Sequence, residues 1–185
     1  MSNPEKEPKP VWSITDVSVG DTESGHDLLR KLHIATYVND ELGITKERVA
    51  ARFNRYTPEQ RQENMQKRID SVSSHAWVAK DSQDNVIGMV GPRIEDDGTQ
   101  RIGALYVDED WQGKGVAGML MERALSWLDA SRPIELGVVK YNERAQAFYI
   151  KWGFEIVPDS DTLFDELIPE IKMVRQPTKS TEEHL

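Results

Sequence analysis

The residues most able to do chemistry lie in one glycine-rich segment, DEDWQGKGVAGML, at 108–120. Gly113, Gly115 and Gly118 have the glycine spacing of a dinucleotide-binding loop, and Lys114 stands among them. Backbone N–H groups at the start of a helix lack acceptors within the helix and lie at the positive end of its dipole. Glycines also let a phosphate approach closely. The segment therefore indicates an anion site made of backbone amides, with a plain glycine turn as the alternative.

The composition restricts which other chemistry the chain can perform. There is no cysteine, which excludes disulfides, thiolate metal sites and a cysteine nucleophile. The four histidines show no metal-ligand spacing, so we expect no metal. A net charge of −9 argues against nucleic acid as a partner. No stretch approaches the roughly 20 apolar residues of a membrane helix, and no signal peptide is evident, so we expect a cytoplasmic protein without a membrane partner.

The apolar pattern predicts the elements that position this loop. Period-two and continuous apolar runs predict strands at 11–19, 76–80, 86–94, 101–107, 134–140, 154–157 and 171–175. Helical spacing predicts helices within 28–37, 49–56, 58–72, 116–131 and 142–152. Thr57 is the predicted N-cap of the third, with Gln60 completing a capping box, and Gly153 is expected to end the last in a left-handed turn. We write the order as β-α-α-β-β-β-α-β-α-β-β. It predicts an α/β fold of the α+β kind, with a mostly antiparallel central sheet, one parallel β-α-β crossover and flanking helices.

The same order argues against a nicotinamide or flavin site. A dinucleotide-binding loop follows its strand directly and belongs to alternating parallel units, whereas five residues separate Val107 from Gly113 and the strands before the loop are antiparallel. Glu135, the acid at the right distance for a ribose, stands near the start of its strand instead of its end. The glycine loop must therefore hold some other phosphate.

Two segments resemble the GNAT superfamily of acyl-CoA-dependent N-acyltransferases. The run Gln112 to Ala117 matches that family's Gln/Arg-x-x-Gly-x-Gly/Ala loop, and YNERAQAFYIKWGFE at 141–155 is similar to its Asn-x-x-Ala-x-x-Phe-Tyr-x-x-x-Gly-Phe segment. The resemblance implies an acyltransferase domain over 11–175, with disordered tails expected at 1–10 and 176–185. It also implies direct transfer of the acetyl group of acetyl-CoA, the cosubstrate, to a primary amine.

The resemblance further implies which residues hold the coenzyme. Backbone amides of Gly113 to Gly118 would bind the pyrophosphate, and Asn142 would bond the pantetheine amides unless it is only a helix N-cap. A bulged, splayed strand would offer free backbone groups to the pantetheine arm, and an N–H near Leu105 would serve as oxyanion donor. The implied coenzyme-binding residues are Leu105, Tyr106, Val107, Gln112, Gly113, Lys114, Gly115, Val116, Ala117, Gly118, Asn142, Ala145 and Tyr149.

The resemblance implies a general acid, whereas the sequence does not identify a general base. By the resemblance, Tyr149 would be the general acid that protonates the departing thiolate, although helical spacing alone favours a core role for it. Glu41, His75 and Asp108 are candidates for the general base, and nothing in the sequence selects among them. The base therefore stays unassigned.

An acidic segment suggests the kind of acceptor. Residues 155–170 contain six acidic residues and no basic one, whereas 46–68 contain seven basic and three acidic residues. In the resembled family the acidic connection borders the acceptor side, so the run predicts a small cationic amine or polyamine, with a solvated loop as the alternative. The first helical region and IELGVV are similar to the bacterial branch that acetylates spermidine and spermine. A protein N-terminal or lysine acetyltransferase and a non-catalytic acyl-CoA-binding module stay open, as do a monomer and a homodimer.

Overall fold

The computed structural model describes residues 11–177, so the tail expected at 1–10 and most of the one expected at 176–185 lie outside the described residues. The strands are β1 Trp12–Asp16, β2 Trp77–Asp81, β3 Val86–Ile94, β4 Gln100–Val107, β5 Ile134–Val139, β6 Phe154–Ile156, β7 Thr162–Phe164 and β8 Ile168–Arg175. The α-helices are α1 Thr22–Tyr37, α2 Lys46–Ala51, α3 Pro58–Ile69, α4 Val116–Trp127 and α5 Glu143–Lys151.

All eight strands belong to one sheet in the order β1-β2-β3-β4-β5-β8-β6, with β7 paired to β8. Every pairing between these strands is antiparallel except that of β4 with β5. Helix α4 makes the crossover between these two parallel strands. The predicted fold class, a mostly antiparallel mixed sheet with one parallel crossover, is therefore confirmed.

The parallel pair separates soon after it begins. Only Gln100 with Ile134 and Arg101 with Glu135 are in register, so the rest of β4 has no partner on its β5 side. On its other edge β4 carries a bulge, because two steps along β3 oppose three steps along β4 around Gly103. The two strands consequently leave an opening in the middle of the sheet.

Helices cover the sheet on both faces. The largest core cluster joins α4 and α5 to the sheet, with Leu120, Phe154 and Met173 fully buried. A second cluster packs Leu28 and Leu32 of α1 against β2 and β3. Full burial of an aliphatic side chain of this size contributes about 1.5–3 kcal/mol, so these contacts hold the two separating strands in place.

Several predicted boundaries needed correction. Three helices precede β2, as the predicted helical ranges indicate, whereas the predicted order of elements has only two at this point. Helix α2 ends at Ala51, where residues 52–54 form a 3₁₀ turn. Helix α4 ends at Trp127 instead of near Ser131, since Leu128 already has an extended backbone. Strand β7 was not predicted. The N-cap of α3 was correct: Thr57 Oγ1 accepts from the backbone N–H of Gln60, whose side chain accepts from Thr57 N–H.

Candidate active site

The opening between β4 and β5 forms a cleft of about 800 Å³ that runs from the glycine loop to β8 and the end of α1. It is lined by most of the residues that the resemblance implied, namely Leu105, Tyr106, Val107, Gln112, Gly113, Gly115, Ala117, Gly118, Asn142, Ala145 and Tyr149. Two implied residues do not line it. The Val116 side chain is buried in the core, and Lys114 Nζ lies over the Trp111 ring, 5.0 Å from its centroid.

The glycine loop has the backbone that its composition requires. Gly113 and Gly115 have φ of +76° and +88°, a region that side chains rarely adopt, and Gly115 is the N-cap of α4. A Cβ at Gly113 would meet no atom within 4 Å, so the outer surface of the loop is free of side chains. Within the described residues, the N–H groups of Gly113, Lys114 and Gly115 make no backbone hydrogen bond. The loop thus presents unpaired donors beside the N-terminus of a helix, which fits a phosphate.

Two polar side chains fix the backbone around the loop and α5. Gln112 Nε2 donates to the carbonyl of Val107 at 3.2 Å, which ties the loop to the end of β4. Asn142 Oδ1 accepts from Ala145 N–H at 3.1 Å, so Asn142 is the N-cap of α5. Its Nδ2 makes no hydrogen bond to the part of the chain that the structure describes, and the residue lines the cleft. The cap and a ligand contact are therefore compatible.

Tyr149 is both a core residue and a cleft residue. Its side chain is 8% exposed and packs edge-on against Phe148 and Phe154, with ring centroids 5.6 and 6.0 Å away. No described residue is hydrogen-bonded to its hydroxyl. Burial, with smaller contributions from Tyr106 and Glu170, raises the pKa of Tyr149 well above its usual value. The phenol therefore keeps its proton at neutral pH and can act only as a donor of that proton.

A buried cluster of three rings adjoins the cleft. Tyr106 Oη lies 2.9 Å from His33 Nε2 and 2.8 Å from Tyr37 Oη. Burial and the charge of Arg52 lower the pKa of His33 to about 4, so its imidazole is neutral at neutral pH. Burial raises the pKa of Tyr37 to about 12. These hydroxyls are neutral, and the cluster fixes the Tyr106 side chain where β4 separates from β5.

None of the three candidates for the general base lines the cleft. Glu41 lies in the 3₁₀ turn at Asp40–Leu42. His75 is hydrogen-bonded to Asp16, with Nε2 2.9 Å from Oδ1. Asp108 caps the short turn before the loop and accepts from Lys31 Nζ at 2.8 and 3.0 Å.

The carboxylate that does line the cleft is Glu170 on β8. It lies across Gly137 of β5, where a Cβ would stand 2.6 Å from its Oε2, so the glycine leaves room for the carboxylate in this position. Burial raises the pKa of Glu170. Its charge in turn raises the pKa of Tyr37, Tyr106 and Tyr149, which places the carboxylate among the three phenols.

The other members of the acidic segment do not face the cleft. Asp161 is paired with Lys140 at 2.7 Å, and Asp165 Oδ2 lies 2.6 and 2.8 Å from nitrogens of Arg52 and Arg55. Glu155, Asp159 and Glu166 are exposed and do not line the cleft. The acidic and basic segments therefore partly neutralise each other, and no local feature of the sequence distinguishes Glu170 from the other five acidic residues of the segment.

Across residues 11–177, no group of three or more His, Asp or Glu side chains is arranged to hold a metal ion. In the same range, no helix has both the length and the apolar character needed to cross a bilayer.

Known proteins similar to this chain are acetyltransferases. The model of the acetyltransferase (GNAT) family matches residues 43–154. The peptidyl-lysine N-acetyltransferase YjaB of Salmonella typhimurium is 32% identical over 88 residues, which cover 46% of this chain and 53% of that protein. The chain thus spans about half the length of the curated relatives it matches.

Solved structures extend the likeness to nearly the whole chain. The PaiA N-acetyltransferase of Thermoplasma acidophilum, in complex with coenzyme A, superposes with a TM-score of 0.69 at 17% identity over 90% of this chain and 99% of that one. The spermidine N-acetyltransferase of Vibrio cholerae, in complex with CoA and spermine, gives 0.66 at 20% identity over 91% and 96%. At these identities the likeness shows a shared fold.

Proposed function

This chain belongs to the acetyltransferase (GNAT) family, and from that premise we propose that it moves the acetyl group of acetyl-CoA directly to a primary amine. The observation that carries the proposal is the opening between β4 and β5, which is lined by the glycine loop on the side of β4 and by Glu170 of β8 on the side of β5. Donor and acceptor can enter such a cleft from different sides and meet beside Tyr149.

The glycine loop and the free edge of β4 would hold acetyl-CoA. The unpaired N–H groups of Gly113, Lys114 and Gly115, together with those of the first turn of α4, suit the pyrophosphate. The Lys114 ammonium, which lies over the Trp111 ring, would turn towards a bound phosphate to supply its charge. The backbone of Leu105, Tyr106 and Val107 has no strand partner towards β5, so it can bond the pantetheine amides, and a Leu105 N–H would polarise the thioester carbonyl. Asn142 would add its Nδ2 to the same arm.

The transfer itself requires two proton movements. The neutral amine nitrogen attacks the thioester carbon, a C–N bond forms, and the C–S bond breaks as the tetrahedral intermediate collapses. Tyr149, whose phenol is protonated, gives its proton to the departing thiolate. Glu170 takes up the proton that the amine loses, because it is the carboxylate in the described cleft wall. No covalent enzyme intermediate is needed, in keeping with a chain that has no cysteine.

Two acceptor classes have specific support. The curated relatives named peptidyl-lysine acetyltransferases favour a lysine side chain or N-terminus of a protein. The carboxylate of Glu170 favours a small cationic amine or polyamine, although the rest of the acidic segment does not contribute to the cleft. Both classes present a primary amine to the same carboxylate.

A thiol-release assay with acetyl-CoA tests the proposal. The enzyme is supplied with single small amines, polyamines and lysine-containing peptides, and the reaction without any amine measures hydrolysis. We expect amine-dependent release of coenzyme A and an acetylated product detected by mass spectrometry. Tight coenzyme A binding without acetylation of any amine would instead identify a non-catalytic acyl-CoA-binding module.

A further inference from the structure

The closed end of the cleft, where β4 and β5 are still paired, is bordered by basic side chains. Arg93, Arg101 and Lys172 line this end. Arg101 Nη2 and Lys172 Nζ lie 3.2 and 3.1 Å from the same oxygen, Oε2 of Glu135. Arg93 Nε lies 2.7 Å from Glu95 Oε1, and Arg101 Nε lies 3.7 Å from that oxygen. The three cations therefore share two carboxylates.

Two glycines leave room for guanidinium groups beside these residues. A Cβ at Gly103 would overlap Arg93 Nη1, and a Cβ at Gly91 would overlap Arg68 Nη2. Arg68 and Arg93 are close enough for their like charges to interact. The sheet thus accommodates one further cation in a place that a larger residue would fill.

The charges at the closed end do not balance. Arg93, Arg101 and Lys172 have two carboxylates within ion-pair distance, those of Glu95 and Glu135. Asp97 adds a more distant negative charge near Arg101, whereas Arg68, beside Arg93, has no ion-pair partner among the described residues. Arg101 Nε is buried and has no hydrogen-bond acceptor in the described part of the chain. Excess positive charge in a partly enclosed site attracts anions, and guanidinium groups suit carboxylates and phosphates in particular.

We propose that the closed end binds an anionic group carried by the acceptor itself, so that the substrate is a small amine with a carboxylate or phosphate on the same molecule. The proposal rests on the function proposed above and narrows it. Glu170 and Lys172 are alternate residues on β8, and the strand repeat sets their Cα atoms about 7 Å apart. The cleft thus offers a negative charge at Glu170 and positive charges at Lys172 and Arg101. An acceptor with an ammonium group at the first position and an anion at the second would match them. A polyamine would place a second cation among cations.

Matched acceptor pairs test the proposal. Free L-lysine and cadaverine differ by one carboxylate, and O-phosphoethanolamine and ethanolamine differ by one phosphate. In at least one pair we expect the anionic member to have a KM lower by about tenfold to a hundredfold, as one charge-assisted contact allows. Which pair shows the preference identifies the anion. Equal KM values in both pairs, or lower values for the members without the anion, would overturn the proposal.

Single substitutions connect the preference to the residues. Arg101→Gln and Lys172→Met each leave Glu135 one cationic partner, so neither isolates a buried charge. In both variants we expect the KM ratio within the preferred pair to fall towards one. Lys151→Met, at an exposed position on α5, is the control and should keep the ratio of the unmodified enzyme. An unchanged ratio in Arg101→Gln and Lys172→Met would refute the assignment.

A binding measurement separates this inference from the proposed function. Calorimetric titration of both acceptor pairs, with coenzyme A present, reports the anion preference without turnover. A preference in binding without acetylation would refute the proposed function and support the anion site. Acetylation of both members of each pair, with equal affinity, would support the proposed function and refute the anion site.

Discussion

At the scale of single residues, Tyr149 illustrates how one side chain can serve packing and chemistry together. Its ring fills the core between Phe148 and Phe154, while its hydroxyl lies at the cleft without a partner among the described residues. Helical spacing predicts that the ring packs in the core, but it cannot predict that the hydroxyl reaches the cleft. A core residue and a cleft residue would stand on the same face of the helix. A substitution that keeps the ring and removes the hydroxyl separates them.

Tyr149→Phe should preserve stability and lower kcat by roughly tenfold to a thousandfold, because the thiolate would leave without a proton donor. Steady-state turnover with a good amine and a thermal melt measure the two quantities. Tyr56→Phe, which removes a phenol that is 54% exposed, is the matched control and should change neither. Unaltered turnover in Tyr149→Phe, with chemistry rate-limiting, would leave the tyrosine only its packing role.

Glu170 should determine how kcat/KM falls on the acidic side of its pH profile, which we call the acid limb. Burial raises its pKa, so the carboxylate becomes ionised, and able to accept a proton, only at a higher pH than an ordinary glutamate. The kcat/KM should therefore fall as pH decreases through a value above the usual glutamate range. Glu170→Gln should remove this limb and lower kcat/KM by about a hundredfold.

Glu155→Gln, at an exposed position on β6, is the control for that profile and should retain the acid limb. An acid limb that persists in Glu170→Gln would assign the proton acceptor to another group. The comparison uses one amine throughout, because the ionisation of the amine itself shapes the alkaline side.

At the scale of elements, the sequence was most informative where local rules decide structure. The caps at Thr57 and Asn142 and the left-handed glycine at Gly153 were read correctly because each depends on a few neighbouring residues. Strand β7 and the position of Glu170 depend on how β8 pairs with both β5 and β7, which are distant in the chain. Long-range pairing of this kind has no local signature.

The same limit explains the candidates for the general base. Glu41, His75 and Asp108 are residue types that can accept a proton, and the sequence gives no measure of their distance from the cleft. Two of them have partners that are distant in the chain, Asp16 for His75 and Lys31 for Asp108. Glu170 appeared in the sequence only as one member of an acidic run.

The N-terminus of α4 offers a test that separates fold from coenzyme binding. Gly118 lies in the first turn of α4 with an ordinary helical backbone, and a Cβ there would meet only Trp152, at 3.8 Å. Gly118→Leu should therefore gain up to about 1 kcal/mol of helix stability. Because Gly118 lines the cleft, the same change should raise the KM for acetyl-CoA by about tenfold to a hundredfold, as expected for a lost charge-assisted hydrogen bond.

Thermal melting and acetyl-CoA titrations of that variant should move in opposite directions. Met119→Leu, an exposed neighbour on the same helix that does not line the cleft, should leave the KM unchanged. Gly115 is a poorer choice, since its φ of +88° would strain any side chain and confound folding with binding. Normal acetyl-CoA affinity in Gly118→Leu would move the phosphate site away from this loop.

At the scale of the whole molecule, charges that are distant in the sequence meet around the cleft. Asp165 of the acidic segment is held by Arg52 and Arg55 of the basic one, so the net charge of −9 does not describe the local field. Arg52 also lies over the Phe164 ring, 4.4 Å from its centroid, and its charge reaches His33. The pKa of His33 therefore depends on a charge that only the folded chain brings near it.

His33 should make the protein less stable in mild acid. Its imidazole is 7% exposed, its Nδ1 has no hydrogen-bond partner within residues 11–177, and its pKa is lowered from 6.5 to about 4. The unfolded chain protonates this histidine below pH 6.5, whereas the folded chain resists protonation until about pH 4. The free energy of unfolding should therefore decrease by up to about 3 kcal/mol as the pH falls across that interval.

Urea unfolding between pH 7 and pH 4 measures this slope, and His33→Gln removes the titrating group while keeping a polar side chain beside Tyr106. Carboxylates contribute their own pH dependence to both proteins, so the quantity of interest is the difference between the two curves. As the pH falls from 7 to 4, the unmodified protein should lose free energy of unfolding relative to His33→Gln. Only the unmodified protein contains the histidine that is protonated in the unfolded chain and neutral in the folded one. Parallel curves for His33→Gln and the unmodified protein would mean that the pKa of His33 is the same in the folded and the unfolded chain, and would refute the effect of burial on this imidazole.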